Sequence, residues 1–373
     1  MFHFMFSLPC LYVLVRFVWP MPWPLTAKLV VALLLVLASQ YHLYCRFSSG
    51  SVFSPEFPRV IVMLFNWAFG AILLLAVLQI LVDLGTLLTL LVRQQWLVIP
   101  AGLRYGLGIA ALLLAAIGVS QAIRVPPVKN VEFAIKGLPP AFDGYTLLQL
   151  TDLHISRLFD RAWTEAVVRD SNALKVDLIV VTGDLIDGSI ANRAEAIEPL
   201  RDLRAADGVY VIPGNHEYFF DNRAWMQHFV SLGMIPLANS HALITHDGAQ
   251  LVLAGVTDLT APATGFPAPD LKAALAGAPK DLPIILLDHQ PKNARFSASQ
   301  NVALQLSGHT HGGMILGLDR LLALANAGFV SGLYAVDGMQ LYVNNGTALW
   351  PGFALRLGRP SELTRITLRR AVE

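Results

Sequence analysis

Residues 60–82 and 105–123 run for 23 and 19 positions without one charged side chain, and no other feature of the sequence limits its folding as strongly. A helix rises ~1.5 Å per residue, so runs of this length cross a hydrocarbon core of ~30 Å while satisfying their backbone N–H and C=O groups internally. Charge is placed accordingly: six of the 27 basic and two of the 26 acidic residues lie in the first 123 positions. The 14% charged content and mean hydropathy of +0.55 therefore average two parts made for different solvents, and a disordered or collagen-like chain is excluded.

Within the apolar part, residues 29–44 have a leucine and valine core and are expected to form a further span. Residues 4–18, interrupted by Pro9 and Arg16, are the weakest candidate, so three to four spans are expected. No Lys or Arg precedes that first apolar run and no small-residue cleavage site follows it, which favours a retained anchor over a removable signal. Asp83, followed by the largely apolar residues 84–92, suggests that this helix continues past the bilayer or bends there; the acid itself, beside Gly85, reads as a wetted terminus and is given no function. Arg46, Arg59, Arg124 and Lys129 flank the spans on one side against Lys28, Arg93 and Arg104 on the other, a near tie that leaves the topology open. Pro126 and Pro127 then end the last helix.

A net charge of +1 with no basic run gives nothing to draw nucleic acid, and none is expected as a partner. Both cysteines, Cys10 and Cys45, fall in the apolar part, so the polar part has neither a disulfide framework nor a thiolate metal site. No feature specifies an oligomeric state.

From residue 129 on, short β-rich runs alternate with helical stretches. Strands are expected at 145–150, 177–182, 208–212, 251–256, 283–287 and 302–306, and helices at 161–174, 192–205, 222–232 and 270–275, which describes a layered α/β domain. The chemistry sits where the strands stop. Asp152-Leu153-His154, Gly183-Asp184-Leu185-Ile186-Asp187, Gly214-Asn215-His216-Glu217, His289-Gln290-Pro291 and Gly308-His309-Thr310-His311 each follow one of these runs. In open α/β sheets, groups at the carboxyl ends of strands converge on one crevice. In an extended segment residues i and i+2 point the same way, so Asp152 with His154, and His309 with His311, are each expected to aim two side chains at one site. Imidazole and carboxylate without thiolate suit Zn, Mn or Fe. Seven such ligands exceed the ordinary coordination of one ion, so two divalent metal ions are implied.

This ordered set of motifs resembles the calcineurin-like metallophosphoesterase superfamily over residues 145–368, and with its apolar amino-terminal part the chain is similar to the membrane-anchored branch. The resemblance implies a β-sandwich flanked by helices. It implies that Asp152, His154 and His311 hold the first metal, that Asp184 bridges, and that Asn215, His289 and His309 hold the second. His216 matches the histidine that faces the substrate, there to stabilise charge on the phosphoryl oxygens or protonate the leaving alkoxide. A metal pair of this kind activates water for attack on phosphorus.

The expected organisation is thus a transmembrane helical region over residues 1–123, a linker and entry segment over 124–144, and a metallophosphoesterase catalytic domain over 145–373. The expected function is an integral membrane phosphohydrolase acting on a phosphomono- or phosphodiester, with the bilayer as partner and a lipid-linked or envelope substrate favoured by tethering. The catalytic domain is expected on the extracytoplasmic side of a bacterial inner membrane. The rival is a membrane scaffold or transport accessory with a metal-binding but non-hydrolytic domain, disfavoured because degenerate domains lose ligands and every motif position here carries a competent one.

Other residues receive structural readings. Asp187 is expected to support its loop or neighbours, and Glu217 to orient a histidine. His228, His241 and His246 are expected at the surface or satisfied in the core. Tyr218, Phe219, Phe220 and Trp225 are expected to be core rather than an apolar wall for substrate. Asn345 stands where the branch often has an Arg, with Arg356 or Arg359 as substitutes.

Overall fold

The structure, a computed structural model, describes residues 2–371. The chain divides into two compact units: one comprises the residues up to Ala122 together with Pro351–Leu357, the other Ile123–Trp350 and the residues from Gly358 on.

The first unit is helical. Helix α1 (Phe2–Val13) continues as a π-helical turn (Leu14–Val18) and is followed by α2 (Leu25–Ser39), α3 (Tyr41–Ser49), α4 (Arg59–Arg93) and α5 (Ala101–Ile123). Helices α4 and α5 are long and apolar enough to cross a membrane, and α2 with α3 reaches that length only across a 47° bend. The bend falls at Gln40, where the expected span over 29–44 turns polar. At 35 residues α4 is about 52 Å long at ~1.5 Å per residue, well beyond a hydrocarbon core of ~30 Å. The helix thus continues past Asp83, one of the two courses expected of residues 84–92, and Asp83 lies inside it and not at a wetted terminus. Its carboxylate accepts from Tyr12 Oη at 2.6 Å, Arg16 Nε at 2.8 Å and Gln79 Nε2 at 2.8 Å, so a polar knot binds α1 and its π-turn to α4.

The segment Pro351–Leu357 belongs to this helical unit through polar contacts. Pro351 O accepts from Tyr41 Oη at 2.9 Å and Asn66 Nδ2 at 2.8 Å, while Ala354 N donates to Asn66 Oδ1 at 2.6 Å. His42 Nε2 lies 2.9 Å from Gly352 O, and Arg356 N donates to Gly118 O at 3.0 Å. Leu355 fits against Gly118, where a Cβ would come within 2.6 Å of its Cγ. Asn66 is thus paired on both ends of its amide, as a buried amide in apolar surroundings must be.

The second unit carries twelve strands: β1 (Val128–Ile135), β2 (Thr146–Leu150), β3 (Leu178–Val181), β4 (Val209–Val211), β5 (Ile235–Pro236), β6 (Ser240–His246), β7 (Ala249–Gly255), β8 (Ile284–Leu287), β9 (Val302–Ser307), β10 (Gly332–Val336), β11 (Met339–Val343) and β12 (Leu363–Arg370). They form two six-stranded sheets, ordered β1-β12-β2-β3-β4-β5 and β10-β11-β9-β8-β7-β6. Strands β2, β3 and β4 pair in parallel, as do β7, β8 and β9, so each sheet sends several carboxyl ends to one edge. One core, including Leu147, Leu178, Leu253, Ile285 and Leu306, is built from both sheets; a second, with Val252, Leu286 and Leu341, covers the other face of the second sheet. Helices α6 (Arg161–Ala173), α7 (Ile190–Ile197), α8 (Asn215–Phe219), α9 (Asn222–Ser231), α10 (Leu271–Ala274), α11 (Ala294–Ser299) and α12 (Leu318–Ala325) complete the unit. The polar half is the mixed α/β, helix-flanked sandwich expected.

Two local expectations change. The stretch 124–144, expected to be a linker and entry segment, contains β1, which pairs in parallel with β12 from Val128 against Leu363 to Ile135 against Arg370. Only Phe133 and Ile135 of β1 are buried, so its sequence lacks the apolar density of an inner strand. The helix expected over 192–205 stops at Ile197 and tightens into a 3₁₀ turn over Glu198–Asp202, because Pro199 cannot extend an α-helix.

Candidate active site

The strand ends deliver their polar residues to one place. Asp152 and His154 follow β2, Asp184 follows β3, Asn215 and His216 are the first residues of α8 after β4, His289 follows β8, and His309 and His311 follow β9. Among the described residues, three groups have ligand atoms close enough to share a cation: Asp152 with His154 and His311, His154 with Asp184 and His216, and Asp184 with His289 and His309. Asp184 and His154 each belong to two groups, so the three form one continuous cluster. Asn215 joins through Oδ1, which lies 3.1 Å from His289 Nε2 and 2.8 Å from His309 Nδ1.

The pairing of Asp152 with His154 and of His309 with His311 does not arise from extended alternation. These four residues and Asp184 all have positive φ, between 43° and 69°. Each strand has ended, and a left-handed backbone turns the side chains inward. Such conformations cost of order 1–3 kcal/mol each in non-glycine residues and persist where surrounding bonds enforce them. Here Asp152 N donates to Gly183 O at 3.0 Å and His154 N to Asp184 O at 3.0 Å, stitching the first two loops together. Gly183 lets a third loop approach, since a Cβ there would come within 2.5 Å of Gly214 N.

Hydrogen bonds fix which imidazole nitrogen faces the cluster. Asp187 Oδ2 lies 3.0 Å from His154 Nδ1, and Asp187 Oδ1 bonds His216 Nδ1, so one buried carboxylate holds both rings by Nδ1 and turns both Nε2 atoms inward. His289 Nδ1 is held in the same manner by Thr182 O at 2.7 Å. Glu217 orients no histidine. Its carboxylate accepts from the backbone N–H of Gly214 at 2.7 Å, Asp184 at 2.9 Å and Leu185 at 2.8 Å, tying two ligand loops together. Thr151 Oγ1 and His309 N donate to the Asp152 carboxylate, contacts that the sequence motifs did not announce.

Burial disfavours the charged ring of His154, yet the carboxylates of Asp187, Asp152 and Asp184 outweigh it and raise its pKa to about 10. His289 is likewise driven up against its burial by Asp184. His309 goes the other way, lowered to about 4 by burial and by His289. Burial pushes Glu217 up to about 7, helped by Asp184 and opposed by its backbone donors. Buried carboxylates that lean on neighbouring imidazolium charge form a pocket in which cations can replace protons.

The donor set fits divalent metal on a second observation. His154 Nε2 is fully buried without a hydrogen-bond partner, 3.8 Å from Asp152 Oδ1 and 3.9 Å from Asp184 Oδ2. These separations are too long for hydrogen bonds and suit atoms that converge on a common ion.

Around the cluster, Tyr218 and Trp225 are core, whereas Phe219, 41% exposed, stacks obliquely beside His216 with ring centroids 5.3 Å apart. Asn345 accepts from Ser331 Oγ at 2.7 Å and packs over Gly312, in the loop that carries His311. Arg359 pairs with Asp319, and Arg356 is buried in the helical unit. Asp288 is pushed up to about 8 by burial and by Asp258, which accepts from Gln290 Nε2 at 3.0 Å. His241 Nδ1 bonds Ala274 O at 2.7 Å, and His246 lies against Tyr145, both outside the cluster.

Residues 145–313 match the calcineurin-like phosphoesterase family. The chain is 35% identical over 274 residues to a Danio rerio protein named transmembrane protein with metallophosphoesterase domain, covering 70% of this chain and 62% of the relative. An uncharacterized metallophosphoesterase of Helicobacter pylori is 32% identical over 71% of this chain and 70% of its own length. The Bacillus subtilis metallophosphoesterase YkuE is 31% identical over 71% of this chain and 94% of its own. The chain therefore spans about three fifths of the vertebrate relative and nearly all of YkuE.

Proposed function

Because this chain belongs to the calcineurin-like phosphoesterase family, we propose that it is a membrane-anchored phosphohydrolase that cleaves a phosphomono- or phosphodiester with two divalent metal ions, Mn, Zn or Fe. The observation that carries the reading is the continuous cluster of three ligand groups joined through His154 and Asp184. Asp152, His154 and His311 would hold one ion, Asn215, His289 and His309 the other, with Asp184 between them. When bound, such ions supply Lewis acidity toward phosphoryl oxygens and lower the pKa of water toward about 7.

The protein's own groups do the rest. Asp187 keeps His216 with Nε2 toward the cluster, 4.0 Å from Asp184 Oδ2, where it can donate a proton to a phosphoryl oxygen or to the departing alkoxide. Glu217 and the left-handed turns hold the ligands in place before substrate arrives, so little reorganisation accompanies the reaction. The apolar helices α4 and α5 support membrane anchoring, and with it a lipid or envelope substrate. We place the catalytic half on the extracytoplasmic face of a bacterial inner membrane, which carboxyl-terminal reporter fusions would check.

The deciding experiment is metal analysis of the purified full chain coupled to hydrolysis of aryl mono- and diesters. Two ions per chain with turnover are expected; a metal-loaded protein that hydrolyses neither ester would overturn the reading.

A further inference from the structure

Immediately after the loop that carries His309 and His311, the chain forms α12, which is apolar on its outward face as well as on the half-buried face that carries Leu318 and Leu322. None of its residues is buried. The outward positions carry Leu321 and Leu324, 65% and 85% exposed, and Leu316 just before the helix is 69% exposed. Leu321 and Leu324 are three apart and so lie on one face, with Arg320 exposed beside them. A helix in water puts such leucines inward and its charges outward.

This face is not a loose flap. Gly313, two residues past His311, touches the first turn of α12 so closely that a Cβ would come within 2.6 Å of Asp319 Cα. Arg359 pairs with Asp319, Gly317 N donates to Asp319 Oδ1 at 2.7 Å, and Ile315 bridges to Gly358. After the helix, Val330 O accepts from Thr310 Oγ1 at 2.6 Å, returning the chain to the same histidine loop. The leucines are thus held at a fixed position relative to His309 and His311.

We propose that the outward face of α12 rests in the boundary between headgroups and acyl chains of a lipid bilayer, so that the neighbouring metal cluster takes its phosphate ester from a lipid. The inference rests on the reading of the chain as a membrane-anchored phosphohydrolase and names the substrate class of that site. A bilayer fits better than a protein. An eight-residue helix is ~12 Å long and ~10 Å across, a patch far short of the ~800 Å² per partner that a stable protein interface buries. Lipid needs no matching surface, and Arg320 suits anionic headgroups. Helices α4 and α5 keep a bilayer within reach of every copy.

The test uses the full chain in nanodiscs of phosphatidylcholine and phosphatidylglycerol, with Cys10 and Cys45 replaced by alanine and a spin label placed through Leu321→Cys, Leu324→Cys or, as an exposed polar control, Lys280→Cys. Labels at 321 and 324 should be relaxed by oxygen and shielded from a water-soluble nickel chelate, the reverse of the control. In parallel, the double variant Leu321→Glu/Leu324→Glu should hydrolyse a soluble aryl phosphate within about twofold of the parent rate while losing roughly tenfold on phosphatidic acid in the same nanodisc. Labels as wet as the control, equal losses on both esters, or spin coupling between copies at a site closed to both relaxants would each overturn the proposal, the last in favour of a second copy. Soluble-ester turnover with wet labels would sink this inference and leave the hydrolase intact. Lipid-embedded labels with no ester hydrolysed would sink the hydrolase and leave the surface contact.

Discussion

Replacing Asp187 by Asn preserves shape and removes one acceptor. In the parent, the two carboxylate oxygens hold His154 and His216 separately by Nδ1. An asparagine has a single acceptor oxygen, and its amide N–H₂ would confront the other ring's N–H. That ring must turn over or shift its proton to Nε2, which for His154 removes the lone pair aimed at the cluster. Losing one hydrogen bond to a charged partner amounts to ~1.5–3 kcal/mol, or about one to two orders of magnitude, the range typical for residues that orient metal ligands. We expect Asp187→Asn to lose ~10–100-fold, in metal affinity if His154 is the ring left without its acceptor, in kcat if it is His216. Calorimetric titration of the stripped protein with Mn or Zn and steady-state hydrolysis of an aryl diester separate the two. A variant within twofold of the parent in both would show that Asp187 does not set either ring.

Three further outcomes follow from the geometry. His216→Ala should keep metal but lose most turnover, about 10²–10⁴-fold for a lost proton donor, whereas Asp184→Asn should lose metal and turnover together; parent rates from the Asp184 variant would refute the dinuclear reading. Glu217→Gln keeps one acceptor oxygen, which can hold the Gly214 and Asp184 N–H groups, but sets its N–H₂ against the Leu185 N–H, and should lower stability by ~1–3 kcal/mol, read as a fall in the thermal midpoint; an unchanged midpoint would mean the loops hold without it. Asn66→Leu leaves Pro351 O and Ala354 N without their amide partner and should cost a similar ~1–3 kcal/mol in detergent, with Val62→Ala, which trims a buried apolar side chain on α4 and leaves its carbonyl bonded to Asn66 Nδ2, as the comparison.

The sequence exposes those parts of the fold in which local pattern and burial agree. Strands β2, β3, β8 and β9 are almost wholly buried and read as dense apolar runs that stop at a polar motif, so strand and cluster announce each other. Strand β1 is mostly exposed and pairs with residues more than two hundred positions away, which no local signal encodes. The double grip of Asp187 is hidden for the same reason: its two rings lie 33 positions before and 29 after it, and only the fold brings them to opposite oxygens. The left-handed turns at Asp152, His154, His309 and His311 escaped because spacing of two in a motif resembles strand alternation, whereas the backbone there has already left the sheet. Leucines in α12 look like core by composition, and only their exposure separates a packed helix from a surface one.

The stretch from Pro351 to Leu357 makes the order of synthesis matter. When Ala122 leaves the ribosome every helix of its unit exists, but the seven residues that complete it are still about 230 codons away. At ~5–20 residues per second that delay is on the order of 10–50 s. Throughout it, Asn66 Oδ1 and the hydroxyl hydrogen of Tyr41 must find stand-in partners such as water or lipid headgroups, while Asn66 Nδ2 keeps Val62 O of its own helix at 2.9 Å. Cutting the gene at the apparent border would make that interval permanent, and the products, about a third of full length, should reach the membrane as substrates for quality-control proteases.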